Sequence, residues 1–210
     1  MKNKILILIR LFVGFVFCAS STTIMLNSNL GLSPWDVFHQ GVSNVVGVTI
    51  GQASIIVSIV FVIIGMMLGQ KLGLGTILNM IIVGKLIDVI MAMNIIPVAT
   101  NIISGIIMMI IGMLVMGFGC YLYIGCGLGC GPRDGVMIGL SKEVKKPIKY
   151  VRTSIEVTVL ILGYILGGNV GVGTLISAIA LGYSMQSMFK LFKFDAIKVN
   201  HKSLIEIINF

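Results

Sequence analysis

Apolar residues along this chain come in long unbroken runs, not in alternation with polar ones. The runs cover residues 5–26, 53–69, 74–93, 102–124, 151–167 and 170–189. Each approaches the roughly 20 residues that, at about 1.5 Å rise apiece, cross a hydrocarbon core about 30 Å thick. With strand alternation absent, helices are the elements expected to satisfy the backbone in lipid. The pattern predicts an all-α membrane protein with about six transmembrane helices. The opening Met1-Lys2-Asn3-Lys4, its apolar run and Cys18-Ala19-Ser20 have the outline of a signal peptide. Phe17 is bulky for a cleavage site and the run has a counterpart later in the chain, so it is read as the first helix.

Sliding the sequence over itself by 98 residues brings its halves into ungapped register. Gly14, Gly31, Pro34, Asp36, Gly41 and Ser43 meet Gly112, Gly129, Pro132, Asp134, Gly139 and Ser141. Gly65, Gly69, Gly73, Gly75, Thr76 and Gly84 then meet Gly163, Gly167, Gly171, Gly173, Thr174 and Gly182. One offset that aligns a Pro-x-Asp and a Gly-x-Gly-Thr indicates duplication, with a first repeat over 1–98, a second over 99–193 and a tail over 194–210. Three spans per half, an odd number, insert the second half upside down. Such inverted repeats are the plan of many secondary transporters, whose sites lie at the repeat interface.

Charge adds an orientation. Hydrophobic residues make up 57% of the chain and charged residues only 10%, so a water-facing surface cannot be covered. Mean hydropathy is +1.09. Every basic residue except Lys85 lies in alternate links: Lys2, Lys4 and Arg10; Lys71; Arg133 to Arg152; Lys190 to Lys202. The links near 27–50, 94–100 and 168–171 hold no Lys or Arg. The positive-inside rule then places both termini in the cytoplasm, and the lipid bilayer rather than nucleic acid is the expected partner.

The chemistry sits in two links, Gly31-Leu-Ser-Pro-Trp-Asp and Gly127-Leu-Gly-Cys-Gly-Pro-Arg-Asp. Pro34 and Pro132 suit the first position of a helix. Asp36 and Asp134 follow where a carboxylate meets free backbone N–H groups. Each link thus starts a short helix after the first span of its half, re-entrant or interfacial. The aspartates are read either as helix-start groups or as cation- or proton-handling groups at a cavity. Ser33 is the expected N-cap of the first. Arg133 is read as a pair for Asp134, a topology charge or an anion binder, and Trp35 as an interfacial anchor. Lys85 and Asp88 lie three apart inside the third span, as a neutral structural pair or a pathway element. Glu156 lies one turn after Arg152, a pair expected to reach toward the cytoplasm.

Cys18, Cys120, Cys126 and Cys130, with 14 methionines, raise a soft metal such as copper(I), but they match no zinc spacing and have no histidine nearby, so packing is their expected role. No cofactor is expected, and without a nucleophile–base constellation neither is an enzyme. The stretches GLSPWDVFHQG from residue 31, IGQASIIVSIVFVIIG from residue 50, LGLGTILNMIIVGKLIDVIM from residue 72 and the Gly-Pro-Arg-Asp-Gly of 131–135 resemble the YitT/YczE family of bacterial integral membrane proteins. That resemblance implies residence in the bacterial cytoplasmic membrane and brings no assigned activity or active site. The expected function is a small secondary transporter or channel for a small solute or ion, using Pro34, Asp36, Pro132, Arg133, Asp134, Lys85 and Asp88. A membrane accessory protein and a substrate-binding subunit of an energy-coupled importer are the alternatives. One 210-residue unit is slim for a transporter, which is compatible with a homodimer.

Overall fold

The computed structural model describes residues 2–48 and 50–202, which contain helices and no strands. The tail expected over 194–210 is therefore described only to Lys202; its residues 203–210 lie outside the described residues. In chain order the helices are α1 (Lys2–Asn27), α2 (Pro34–Val46), α3 (Ile50–Met67), α4 (Leu74–Ala92), α5 (Ile102–Ile124), α6 (Pro132–Glu143), α7 (Ile148–Ile165) and α8 (Val172–Leu191). A single 3-10 turn, Ala196–Lys198, follows. Helix α4 carries a π-helical turn at Asn79–Val83, a form frequent at functional sites.

Four of these helices, α1, α4, α5 and α8, are long and apolar enough to cross a membrane. Helix α3 contributes a shorter apolar stretch, Gln52–Met67. Helix α7 has 18 residues but carries Lys149, Arg152 and Glu156. The two Pro-x-Asp links do open short helices, α2 and α6, with proline at the first positions. Ser33 caps α2, its Oγ accepting from the Asp36 N–H at 3.3 Å, and Gly47 ends it with φ 74°.

Helix starts keep the spacing of 98: Pro34 and Pro132, Ile50 and Ile148, Leu74 and Val172. Contacts are exchanged in the same way. Helix α2 packs on α7 of the other half, and α3 packs on α6. The Gly75 N–H donates to the Leu128 carbonyl at 2.7 Å, and the Gly173 N–H donates to that of Leu30 at 2.8 Å. These exchanges need bare backbone. A Cβ on Gly31 (φ 127°) would lie 2.7 Å from Gly171 Cα, and one on Gly129 (φ 111°) would lie 2.8 Å from Gly73 Cα.

Helices α1 and α5 form the central pair and run antiparallel. Gly14 lies against Tyr123, Cys18 against Gly119, Ser21 against Gly112 and Ser28 against Gly105. Small residues let the backbones close, and the Ser21 hydroxyl donates to the Gly112 carbonyl at 2.6 Å. The halves differ at their last helices. Helix α8 packs on both α5 and α7, whereas α4 packs on α1 and leaves a gap toward α3.

Candidate functional site

A cavity of about 280 Å³ lies between the halves, at the small end of the ~300–1,000 Å³ range of ligand pockets. Its wall includes Pro34, Asp36, Pro132, Arg133 and Asp134, so the two helix starts that are 98 residues apart in sequence converge on one space. It extends into the gap beside α4, where Ser54 and Ser58 of α3 face Met80, Val83 and Ile87.

The polar side chains form one connected line across the interface. The Ser33 hydroxyl donates to Asp36 Oδ2 at 2.7 Å, and Asp36 Oδ1 lies 3.8 Å from His39 Nδ1. His39 Nε2 lies 3.4 Å from Arg133 Nη2. Arginine can only donate, so Nε2 accepts and the imidazole proton sits on Nδ1, toward Asp36. The Arg133 guanidinium stacks 4.4 Å from the Trp35 ring centre. Trp35 Nε1–H donates to Glu156 Oε1 at 3.0 Å. Arg152 then links the two acids of the second half. Its Nη1 donates to Asp134 Oδ1 at 2.9 Å, and its Nε lies 2.7 Å from Glu156 Oε1. That Nε contact is one of charge, because the N–H does not point at the oxygen. The Tyr123 hydroxyl donates to Asp134 Oδ2 and accepts from the Gly131 N–H.

Two features of this line bear on chemistry. Three carboxylates (Asp36, Asp134, Glu156) face two guanidiniums (Arg133, Arg152), leaving one negative charge in excess while His39 is neutral. Glu156 is fully buried, and its Oε2 has no hydrogen-bond partner among the described residues. A buried carboxylate with an open lone pair is costly unless a proton or a cation meets it.

The structure revises several sequence readings. Asp36 uses the capping serine as expected, but Asp134 bonds to Tyr123 and Arg152, not to its own helix start. Arg133 turns away from Asp134 toward Trp35 and His39. Trp35 is 2% exposed, so it is a core residue and not an interfacial anchor; it packs edge-on against Phe61 with ring centres 4.8 Å apart. The Arg152–Glu156 pair exists, but at 5% and 0% exposure it lines the cavity and does not reach for water. The repeat register held a signal for it. Their counterparts are Ser54 and Ser58, which also line the cavity, so one helix position carries ions in the second half and hydroxyls in the first. Lys85 and Asp88 are not brought to this site. Both are exposed on α4, and no ion pair joins them among the described residues.

Near the turn before α6 the tail folds back. The Gly129 N–H donates to His201 Nδ1 at 3.3 Å, and His201 Nε2 lies 3.1 Å from Cys130 Sγ. Cys130 therefore does have a histidine beside it, brought by the fold from 71 residues away. Among the described residues no group of three or more His, Cys, Asp or Glu is placed to hold a metal.

A family of unknown function, DUF6198, matches residues 5–190. An uncharacterized protein of Haemophilus influenzae is 38% identical over 159 residues, 76% of this chain and 72% of that protein. The uncharacterized membrane protein YczE of Bacillus subtilis is 32% identical over 173 residues, 81% of this chain and 80% of YczE. The uncharacterized protein YyaS of the same organism is 27% identical over 183 residues, 84% of this chain and 89% of YyaS. No solved structure matches. With a membrane-protein relative and several apolar helices, the chain is an integral, multi-pass membrane protein.

Proposed function

The chain belongs to DUF6198, and on that premise we propose that it is a small secondary transporter whose site is the cavity between its halves. The observation that carries the reading is the convergence of both Pro-x-Asp starts and the buried Arg152–Glu156 pair on one space with an excess negative charge. That balance favours a small cation, or a proton, as the moving species. Asp36, Asp134 and Glu156 supply the charge, and Arg133 and Arg152 hold the carboxylates in place. The wider YitT/YczE relationship, six spans, the bacterial cytoplasmic membrane and cytoplasmic termini belong to the same reading. So does the inverted repeat, which is supported by the antiparallel packing of α1 on α5 and by the contact of Trp35 with Arg133. Those two residues are 98 apart, so the halves exchange about a line passing between them.

The test is thermal stability of the purified protein against alkali cations, ammonium, organic amines, neutral solutes and anions. Wild type would be run beside Asp36→Asn and Glu156→Gln. Specific binding raises the melting temperature by mass action. The expected result is a rise with one class of cation that both variants lose. A rise with anions alone would reverse the charge argument. No rise at all, with a partner protein co-purifying, would move the assignment to an accessory protein or, if that partner hydrolyses ATP, to an importer subunit.

A further inference from the structure

The outward face of α4 presents two charges where lipid would be expected. Helix α4 has three faces. Leu78, Ile82 and Leu86 pack against the main hydrophobic core, and Met80, Val83 and Ile87 line the cavity and its side gap. The third face, Ile81, Lys85, Asp88 and Ala92, is exposed. In a span of 19 residues, Lys85 lies roughly 3 Å and Asp88 roughly 8 Å from the middle at about 1.5 Å per residue. The short aspartate side chain cannot reach the headgroups from there as a lysine stem can. Ionised groups at such depth face protein or water and pair with one another. Yet neither side chain has an ion pair or hydrogen bond among the described residues, although they stand three apart on one helix.

We infer that a second copy of this chain covers this face, with Lys85 of each copy paired to Asp88 of the other. Charge complementarity selects the occupant. In a twofold arrangement of the same stripe the Lys85 of each copy meets the other copy's Asp88, so two pairs form and all four charges are neutralised. The two positions are offset by about 4.5 Å along the helix, a distance the four-carbon lysine stem spans. The equivalent positions in α8 are Tyr183 and Gln186, so each chain has one such charged face and the pairing closes at a dimer. The other half of the chain shows why α4 is the helix left open: α8 packs on α5, α7 and α2, whereas the main helix partner of α4 is α1. The inference stands apart from the transport reading.

Charge exchange tests it. Two differently tagged copies are co-expressed, and recovery of one through the tag of the other is measured after crosslinking in the membrane. Wild type is expected to be recovered. Lys85→Asp alone and Asp88→Lys alone each set like charges against like, and recovery falls roughly tenfold. Lys85→Asp co-expressed with Asp88→Lys restores opposite charges across the interface and recovers the wild-type level. Both single variants break any contact within one helix, so only pairing between chains predicts that rescue. A variant missing from the membrane alone but present beside its complement counts as rescue. If either charged variant is missing in both settings, Lys85→Gln/Asp88→Asn replaces it, and recovery must fall. A monomeric wild type, single variants that pair as wild type does, or a mixed pair that does not recover each overturn the inference.

Discussion

Replacing Arg152 by Met isolates what holds the cavity wall together. Methionine keeps most of the stem volume but removes the guanidinium that bridges Asp134 at 2.9 Å and Glu156 at 2.7 Å. Two carboxylates are then left in the cavity wall without their shared guanidinium, one keeping the Tyr123 hydroxyl and the other only the Trp35 N–H. Removing one partner of a buried ion pair costs about 3–5 kcal/mol, and the loss of two contacts places this variant toward the upper end. At about 2–4 °C per kcal/mol for a chain of this size, about 5 kcal/mol lowers the melting temperature by roughly 10–20 °C. The assay is a melt in detergent, run with the double variant Arg152→Met/Glu156→Gln. Neutralising Glu156 removes one of the stranded charges while the amide oxygen still accepts from Trp35, so the double variant should melt above the single. If the single variant melts with wild type, or the double variant melts no higher than the single, the ionic account of this wall is refuted.

Gly31 and Gly129, which stand 98 residues apart, give a paired expectation. Gly31→Ala and Gly129→Ala each put a Cβ within 3 Å of backbone at a positive φ, and each should destabilise by about 2–4 kcal/mol in the same melt. Gly84→Ala meets nothing within 4 Å on a helix and should be neutral or stabilising by up to ~1 kcal/mol. Trp35→Phe removes the N–H that Glu156 Oε1 accepts and should cost about 1–3 kcal/mol, read as a lower melting temperature. The His201 contact with Gly129 and Cys130 should be pH-dependent. Burial and then Lys142 push this histidine down to about 4 from 6.5. A histidine with a lowered folded pKa adds stability that is complete above 6.5 and is lost as pH falls toward 4, so tail protection from protease should decline across that window. His201→Gln should flatten the profile.

Much of the architecture was legible in the chain. Apolar runs of about membrane length predict the long helices because lipid leaves the backbone no other partner. The offset of 98 anticipates that helix starts at Pro34, Ile50 and Leu74 have counterparts at Pro132, Ile148 and Val172. Pro34 and Pro132 mark the short helices because proline fits only the first turn. Asp36 and Asp134 could be singled out for the same positional reason.

Tertiary structure decided which of these charges meet. Sequence spacing relates residues on one helix, as with Arg152 and Glu156, but cannot show that Trp35 of one half donates to Glu156 of the other. It read Trp35 as interfacial because tryptophan favours that zone, whereas cross-packing of α2 on α7 buries it. It treated Lys85 and Asp88 as interior because ionised groups avoid lipid, whereas α4 turns them outward. The difference has one physical cause. Periodicity and duplication are properties of a single helix or a single chain, and they survive in the sequence. The partner of a charge is set by the crossing of helices more than a hundred residues apart, as between Trp35 and Glu156, and that exists only in three dimensions.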